Sequence, residues 1–230
     1  MVLTFTCVNS RRIFKLAAIF PVLGVLSAWA IFYSVGHSKK GLILTVSETM
    51  NPFPESRIFS TTMHMEMVFL IIVYWIRYQV TKSAANQKGV QGKLFSALMI
   101  TMAICNILMV IGVSMVSAVT LKEHTAFHLT GASLFFYLSI VYYFVADAAA
   151  EMVGISIKGF SKIINYILPF IMVAYVVLIA KYAKIHVCRN IGGIAQYILA
   201  SLIFLKIYYF GKDLPQFQLT AVSDEIKKTE

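Results

Sequence analysis

The sequence predicts an all-α, polytopic membrane protein with six transmembrane helices and both termini in the cytosol. Three observations carry this. First, 59% of the 230 residues are hydrophobic and only 13% are charged, against roughly 25% charged in ordinary soluble domains, and the mean hydropathy is +0.79. One soluble core of this length does not hide so much apolar surface, so the bilayer is the solvent. Second, apolar runs long enough to cross a hydrocarbon core of about 30 Å recur six times. Third, Lys and Arg gather at the ends of those runs, densest on the N-terminal side of the expected membrane (Arg11, Arg12, Lys15, then Arg77, Lys82, Lys88 and Lys93). That bias sets the termini inside; the basic loop 181–190 runs against it. The formal charge of +10 therefore reads as topology and headgroup contact, and nucleic acid is excluded as a partner. Membrane lipids, and other membrane proteins, are the expected partners.

The first span, about 13–33, follows a short basic start and is too long for a signal-peptide core. Loop one, about 34–57, carries the polar, proline-bearing stretch Ser47–Phe59. In it Pro54-Glu55-Ser56 makes a helix start, with proline in the first turn and an acid at the positive end of the helix dipole. Span two, about 58–76, is polar in its first half (Ser60, Thr61, Thr62, His64, Glu66) and apolar in its second. A basic linker, 77–93, leads to span three, about 94–119, and a tight connection leads to span four, about 125–145. A mixed-charge loop, 146–162, precedes span five, about 163–180. Span six is about 191–210, and 211–230 is read as a flexible cytosolic tail.

Glu66 lies eight residues past Ile58, about 12 Å into the membrane at 1.5 Å per residue. An acid at that depth must face the bundle, be paired or be protonated. His124 and His128, four residues apart, share one helix face at the outer end of span four. With His64 and Glu66 they form a candidate lumenal polar pocket. Two histidines at this spacing suit zinc, but no further ligand motif completes a set, so no metal is expected. Asp147 and Glu151 read as interfacial residues that pair with Lys158 or Lys162. Nucleophile-elbow, zinc-protease, P-loop and dinucleotide motifs are absent, so no catalytic residues and no cofactor are assigned and the chain reads as non-enzymatic. Cys7, Cys105 and Cys188 fall in different compartments on this topology, so no disulfide is expected. Near the C-terminus, Lys227-Lys228 stands where a dilysine signal returns membrane proteins to the endoplasmic reticulum.

Several stretches resemble the Frag1/DRAM/Sfk1 family, including the N-terminal region of the Cwh43 proteins. They are the loop Pro54-Glu55-Ser56-Arg57-Ile58-Phe59, the exit Tyr74-Trp75-Ile76-Arg77-Tyr78, the opening His128-Leu129-Thr130-Gly131-Ala132 and the ending Tyr209-Phe210-Gly211-Lys212-Asp213 with Phe217. The nearest likeness is to the DRAM (damage-regulated autophagy modulator) branch, in which a Pro-Glu-Ser-x-Ile-Phe loop and an Arg-Tyr exit stand at these places. Glu66 and the dilysine ending depart from that branch's pattern. The resemblance implies a multi-pass protein of lysosome, endosome or Golgi. Its implied function is non-enzymatic modulation of autophagy and lysosomal function. The alternative is a GPI-anchor lipid-remodelling factor of the endoplasmic reticulum or Golgi with a lumenal headgroup pocket, and the third is a proton-coupled transporter.

Overall fold

A computed structural model describes residues 8–38, 41–214 and 218–219. Cys7, Phe217 and the Lys227-Lys228 pair lie outside the described residues. The helices are α1 (Ser10–Ser34), a short α2 (Val46–Thr49) inside loop one, α3 (Glu55–Lys88), α4 (Lys93–Ala118), α5 (Thr125–Met152), α6 (Gly159–Ala180) and α7 (His186–Asp213). All except α2 are long and apolar enough to cross a membrane. A two-residue antiparallel pairing, Val8 with Leu219 and Asn9 with Gln218, joins the two ends of the described chain. One end of the bundle therefore carries the termini and the other carries loop one.

Three helix starts carry the chemistry their position calls for. Glu55 stands in the first turn of α3, where an acid complements the dipole. His124 caps α5, its Nδ1 accepting the Phe127 N–H at 3.2 Å, which satisfies one of the free donors at a helix start. Thr45 caps α2 with a reciprocal bond to Glu48, a capping box.

The six long helices form a ring: α1 packs on α3 and α7, α3 on α4, α4 on α5, and α6 on α7, while α5 and α6 touch sparsely. At the α4–α5 seam the two backbones approach closely, since a Cβ on Gly112 would meet the Gly131 carbonyl at 2.6 Å and one on Gly131 would meet Met115 Cβ at 2.6 Å. Small residues of this kind let helix backbones approach inside a membrane. Aromatic rings fill the centre, with Tyr74 against Tyr142 at 4.3 Å and Tyr143 against Phe210 at 5.4 Å between centroids. The outside is apolar as well: Phe170 is 76% and Leu94 66% exposed, which suits a surface wetted by lipid.

Two readings of the polar residues are corrected here. The stretch 77–93 is mostly helix, since α3 runs on to Lys88, and Arg77 is fully buried. Asp147 is likewise buried in the bundle rather than interfacial. The reason is a shared network. Asp147 accepts from Arg77 Nη2 at 3.4 Å, Asn165 Nδ2 at 2.8 Å and Lys206 Nζ at 2.5 Å. Lys206 also donates to the Ser161 carbonyl and hydroxyl, and the Arg77 guanidinium lies 4.6 Å over the Phe210 ring. Paired and hydrogen-bonded charges tolerate burial that lone ones do not. Glu151 stays half-exposed and pairs with Lys162.

Breaking this network strands a buried charge. Asp147→Ala is expected to lower stability by about 3–5 kcal/mol, whereas Glu151→Ala, at an exposed pair, changes it by about 0–1 kcal/mol; thermal unfolding of the detergent-solubilised protein compares the two. Gly131→Leu is expected to overpack the α4–α5 seam and to reduce the yield of monodisperse protein, read by size-exclusion chromatography.

Candidate functional site: a polar cavity beneath loop one

Loop one lies across the bundle end because its backbone finds partners on α7. Ile43 N–H donates to Asn190 Oδ1 at 2.9 Å and Val46 N–H to Gln196 Oε1 at 2.7 Å. Arg189 pairs with Glu48 at 2.6 Å, and the Thr49 and Tyr197 hydroxyls are 3.1 Å apart. On the other side Asn51 Oδ1 accepts the Lys122 N–H at 3.1 Å. His37 Nδ1 lies 2.8 Å from Glu55 Oε1 and anchors the loop to the start of α3.

Held this way, the loop roofs a cavity of about 260 Å³, room for roughly nine waters at about 30 Å³ each. Ser47 and Asn51 come from the loop, Ser56, Arg57 and Ser60 from the first turns of α3. Ser117, Thr120 and Glu123 come from the end of α4 and the following turn, and His128 from α5. These are helix ends, the level at which a membrane presents headgroups, and Trp29 and Tyr33 near the end of α1 stand exposed where interfacial aromatics belong. Below the polar cavity lies an apolar one of about 50 Å³ that shares Ser47, Phe59 and Val116 as walls.

His128 is the pivot of the polar cavity. It is 2% exposed, with Nδ1 2.8 Å from the Val119 carbonyl and Nε2 3.0 Å from Ser47 Oγ. A carbonyl only accepts, so Nδ1 carries the proton, and in the neutral ring Nε2 accepts from the serine. Glu123 is exposed and receives the Thr120 N–H at 2.7 Å. That bond, then the Thr120 hydroxyl contact, hold its carboxyl below the ordinary range, with Arg57 adding a smaller electrostatic pull.

Of the four residues expected in one lumenal pocket, the structure brings only His128 to the cavity. His124 is spent on the α5 cap. His64 is exposed on the α3–α4 seam, its Nδ1 2.7 Å from the Ser60 carbonyl and its Nε2 3.5 Å from Ser117 Oγ. Glu66 is 1% exposed, and neither of its oxygens meets a hydrogen-bond partner among the described residues. The family loop motif divides its labour: Ser56 and Phe59 line the cavity, Glu55 anchors to His37, Ile58 packs on the core, and Pro54 precedes α3. Arg57, Ser117 and Glu123 were not singled out from the sequence. Arg57 lay inside the quoted motif, but Ser117 and Glu123 reach the site only through the α4–α5 turn. Among the described residues no group of three or more metal-ligating side chains gathers.

Six apolar helices around a polar-mouthed interior define an integral, multi-pass membrane protein. The chain belongs to the family described as the Frag1/DRAM/Sfk1/Cwh43P N-terminal domain, whose match covers residues 9–217. No curated protein and no solved structure matches it.

The lowered Glu123 value carries a pH dependence. The Thr120–Glu123 bond contributes fully above the ordinary glutamate range and is lost as pH falls through the depressed folded value. Protection of the Thr120 amide, corrected for intrinsic exchange, is therefore expected to hold steady near neutrality and to fall only in acid. In Glu123→Gln that acid loss should disappear.

Proposed function

We propose that this protein acts without catalysis, as a DRAM-type membrane protein that modulates autophagy and lysosomal function by engaging a membrane lipid beneath loop one. The observation that supports this is the polar cavity itself. It sits at headgroup depth, and its walls include Ser56, Arg57 and Phe59 at the start of α3 and His128, residues that also carry the family resemblance. The cavity offers binding groups, hydroxyls with one cation and one anion. Ser47 Oγ does lie 3.0 Å from His128 Nε2, but the other ring nitrogen donates to the Val119 carbonyl rather than to a carboxylate, and in this reading the pair fixes loop one on α5. In this reading the termini face the cytosol, loop one faces the lumen, and the protein resides in lysosomes or endosomes.

The test uses cells lacking the protein, re-expressing either wild type or Arg57→Gln at matched levels. Arg57 is exposed, so its loss leaves packing intact. The expected result is restored autophagic flux with wild type and reduced flux with the variant, while GPI-anchored proteins at the cell surface stay constant in both. Loss of those surface proteins with normal flux would instead assign the cavity to GPI-lipid remodelling.

A further inference from the structure

We propose that the occupant of this cavity is a glycerophospholipid whose phosphodiester headgroup bears a primary amine. The inference rests on the lipid reading above and goes on to name the headgroup. Among the described residues lining the cavity, Arg57 is the one Lys or Arg side chain and Glu123 the one carboxylate. They come from different elements, Arg57 from the first turn of α3 and Glu123 from the turn between α4 and α5, with Arg57 near enough to act electrostatically on the Glu123 carboxyl. A guanidinium matches a phosphate through paired N–H donors. A carboxylate held in its charged form attracts an ammonium and accepts its N–H bonds.

The remaining groups fit the same ligand. Ser56, next to Arg57 in the chain, lines the cavity and can donate to a phosphate oxygen, while Ser47, whose O–H goes to His128 Nε2, can accept from the amine. His128, with its ring nitrogens occupied by Val119 and Ser47, acts as a wall and orients Ser47. A purely anionic headgroup would bring its charge toward Glu123, and a headgroup without phosphate would leave Arg57 unused. About 260 Å³ accommodates a small headgroup but no acyl chain as well, and the neighbouring apolar cavity, about 50 Å³, is also too small for one. The chains therefore stay in the bilayer, which begins at the depth of this cavity.

The experiment is native mass spectrometry of the delipidated full chain in non-ionic detergent. It is titrated with phosphatidylethanolamine, phosphatidylcholine, phosphatidylglycerol and diacylglycerol of identical chains, and with deacylated glycerophosphoethanolamine. Phosphatidylethanolamine is expected to bind about two- to fivefold tighter than phosphatidylglycerol or phosphatidylcholine, the range of one screened charge pair. Glu123→Gln, which keeps the acceptor for Thr120, should erase that preference. Arg57→Gln should weaken all three phospholipids toward diacylglycerol. Equal binding of the three phospholipids, still sensitive to Arg57, would overturn the headgroup assignment and leave the lipid reading standing. Binding of glycerophosphoethanolamine as tight as that of the intact lipid would overturn a membrane source for the ligand. Lipid binding indifferent to both substitutions would overturn this proposal and the lipid reading of the cavity together.

Discussion

The carboxylate of Asp147 is the point on which the terminal end of the bundle depends. It gathers Arg77 from α3, Asn165 from α6 and Lys206 from α7 onto α5. Three ionic groups removed from water cost several kcal/mol each before pairing. They persist because Lys206 and Asp147 find several hydrogen-bonding partners and because Phe210 offers its ring face to both cations, 4.6 Å from Arg77 and 5.2 Å from Lys206. Arg77 reaches Asp147 through Nη2, while its Nε and Nη1 go without a partner among the described residues. Bilayer hydrocarbon supplies no hydrophobic drive between apolar helices, so a polar contact of defined geometry sets which helices meet. This matters most for α6, which touches α5 sparsely along its length yet is tied to it through Asn165.

The opposite end is organised by weaker means. Loop one is held by backbone and side-chain hydrogen bonds, by the half-buried Arg189–Glu48 pair and by the contact of His37 with the buried Glu55 carboxyl. Polar groups cost little at the water boundary, so a hydroxyl-lined cavity can persist with one cation and one anion exposed in it. The bundle thus separates its tasks: a buried ion network fixes helix pairing at one end, and a hydrated pocket roofed by a loop occupies the other. Between them stands Glu66, buried with neither oxygen hydrogen-bonded among the described residues and reached by neither of the two cavities described here. Intramembrane acids of this kind are costly to keep charged, and the side chains around it offer apolar packing one turn away at Met63 and Leu70.

What the sequence by itself determined is whatever local chemistry decides. Apolar runs of membrane length specify six helices, because backbone groups in hydrocarbon must be satisfied within their own segment. Short motifs such as Pro54–Phe59 identified the family, since they are contiguous in the chain. Charges were legible as present but not as partnered. Lys206 inside an apolar run and Arg77 at the end of one were both visible, and an acid to match them was visible in Asp147, yet Arg77 and Asp147 are 70 positions apart. Only the tertiary structure decided that they meet. The same holds for the cavity, where Arg57 and Glu123 share walls because α4 and α5 turn back beside the start of α3. Spacing along span four had grouped His124 with His128, and depth in the outer half of span two had added His64 and Glu66. Packing sends His64 to a seam, Glu66 to the interior, His124 to a cap and His128 to the cavity, since the direction a side chain faces is set by the neighbouring helices as much as by its own.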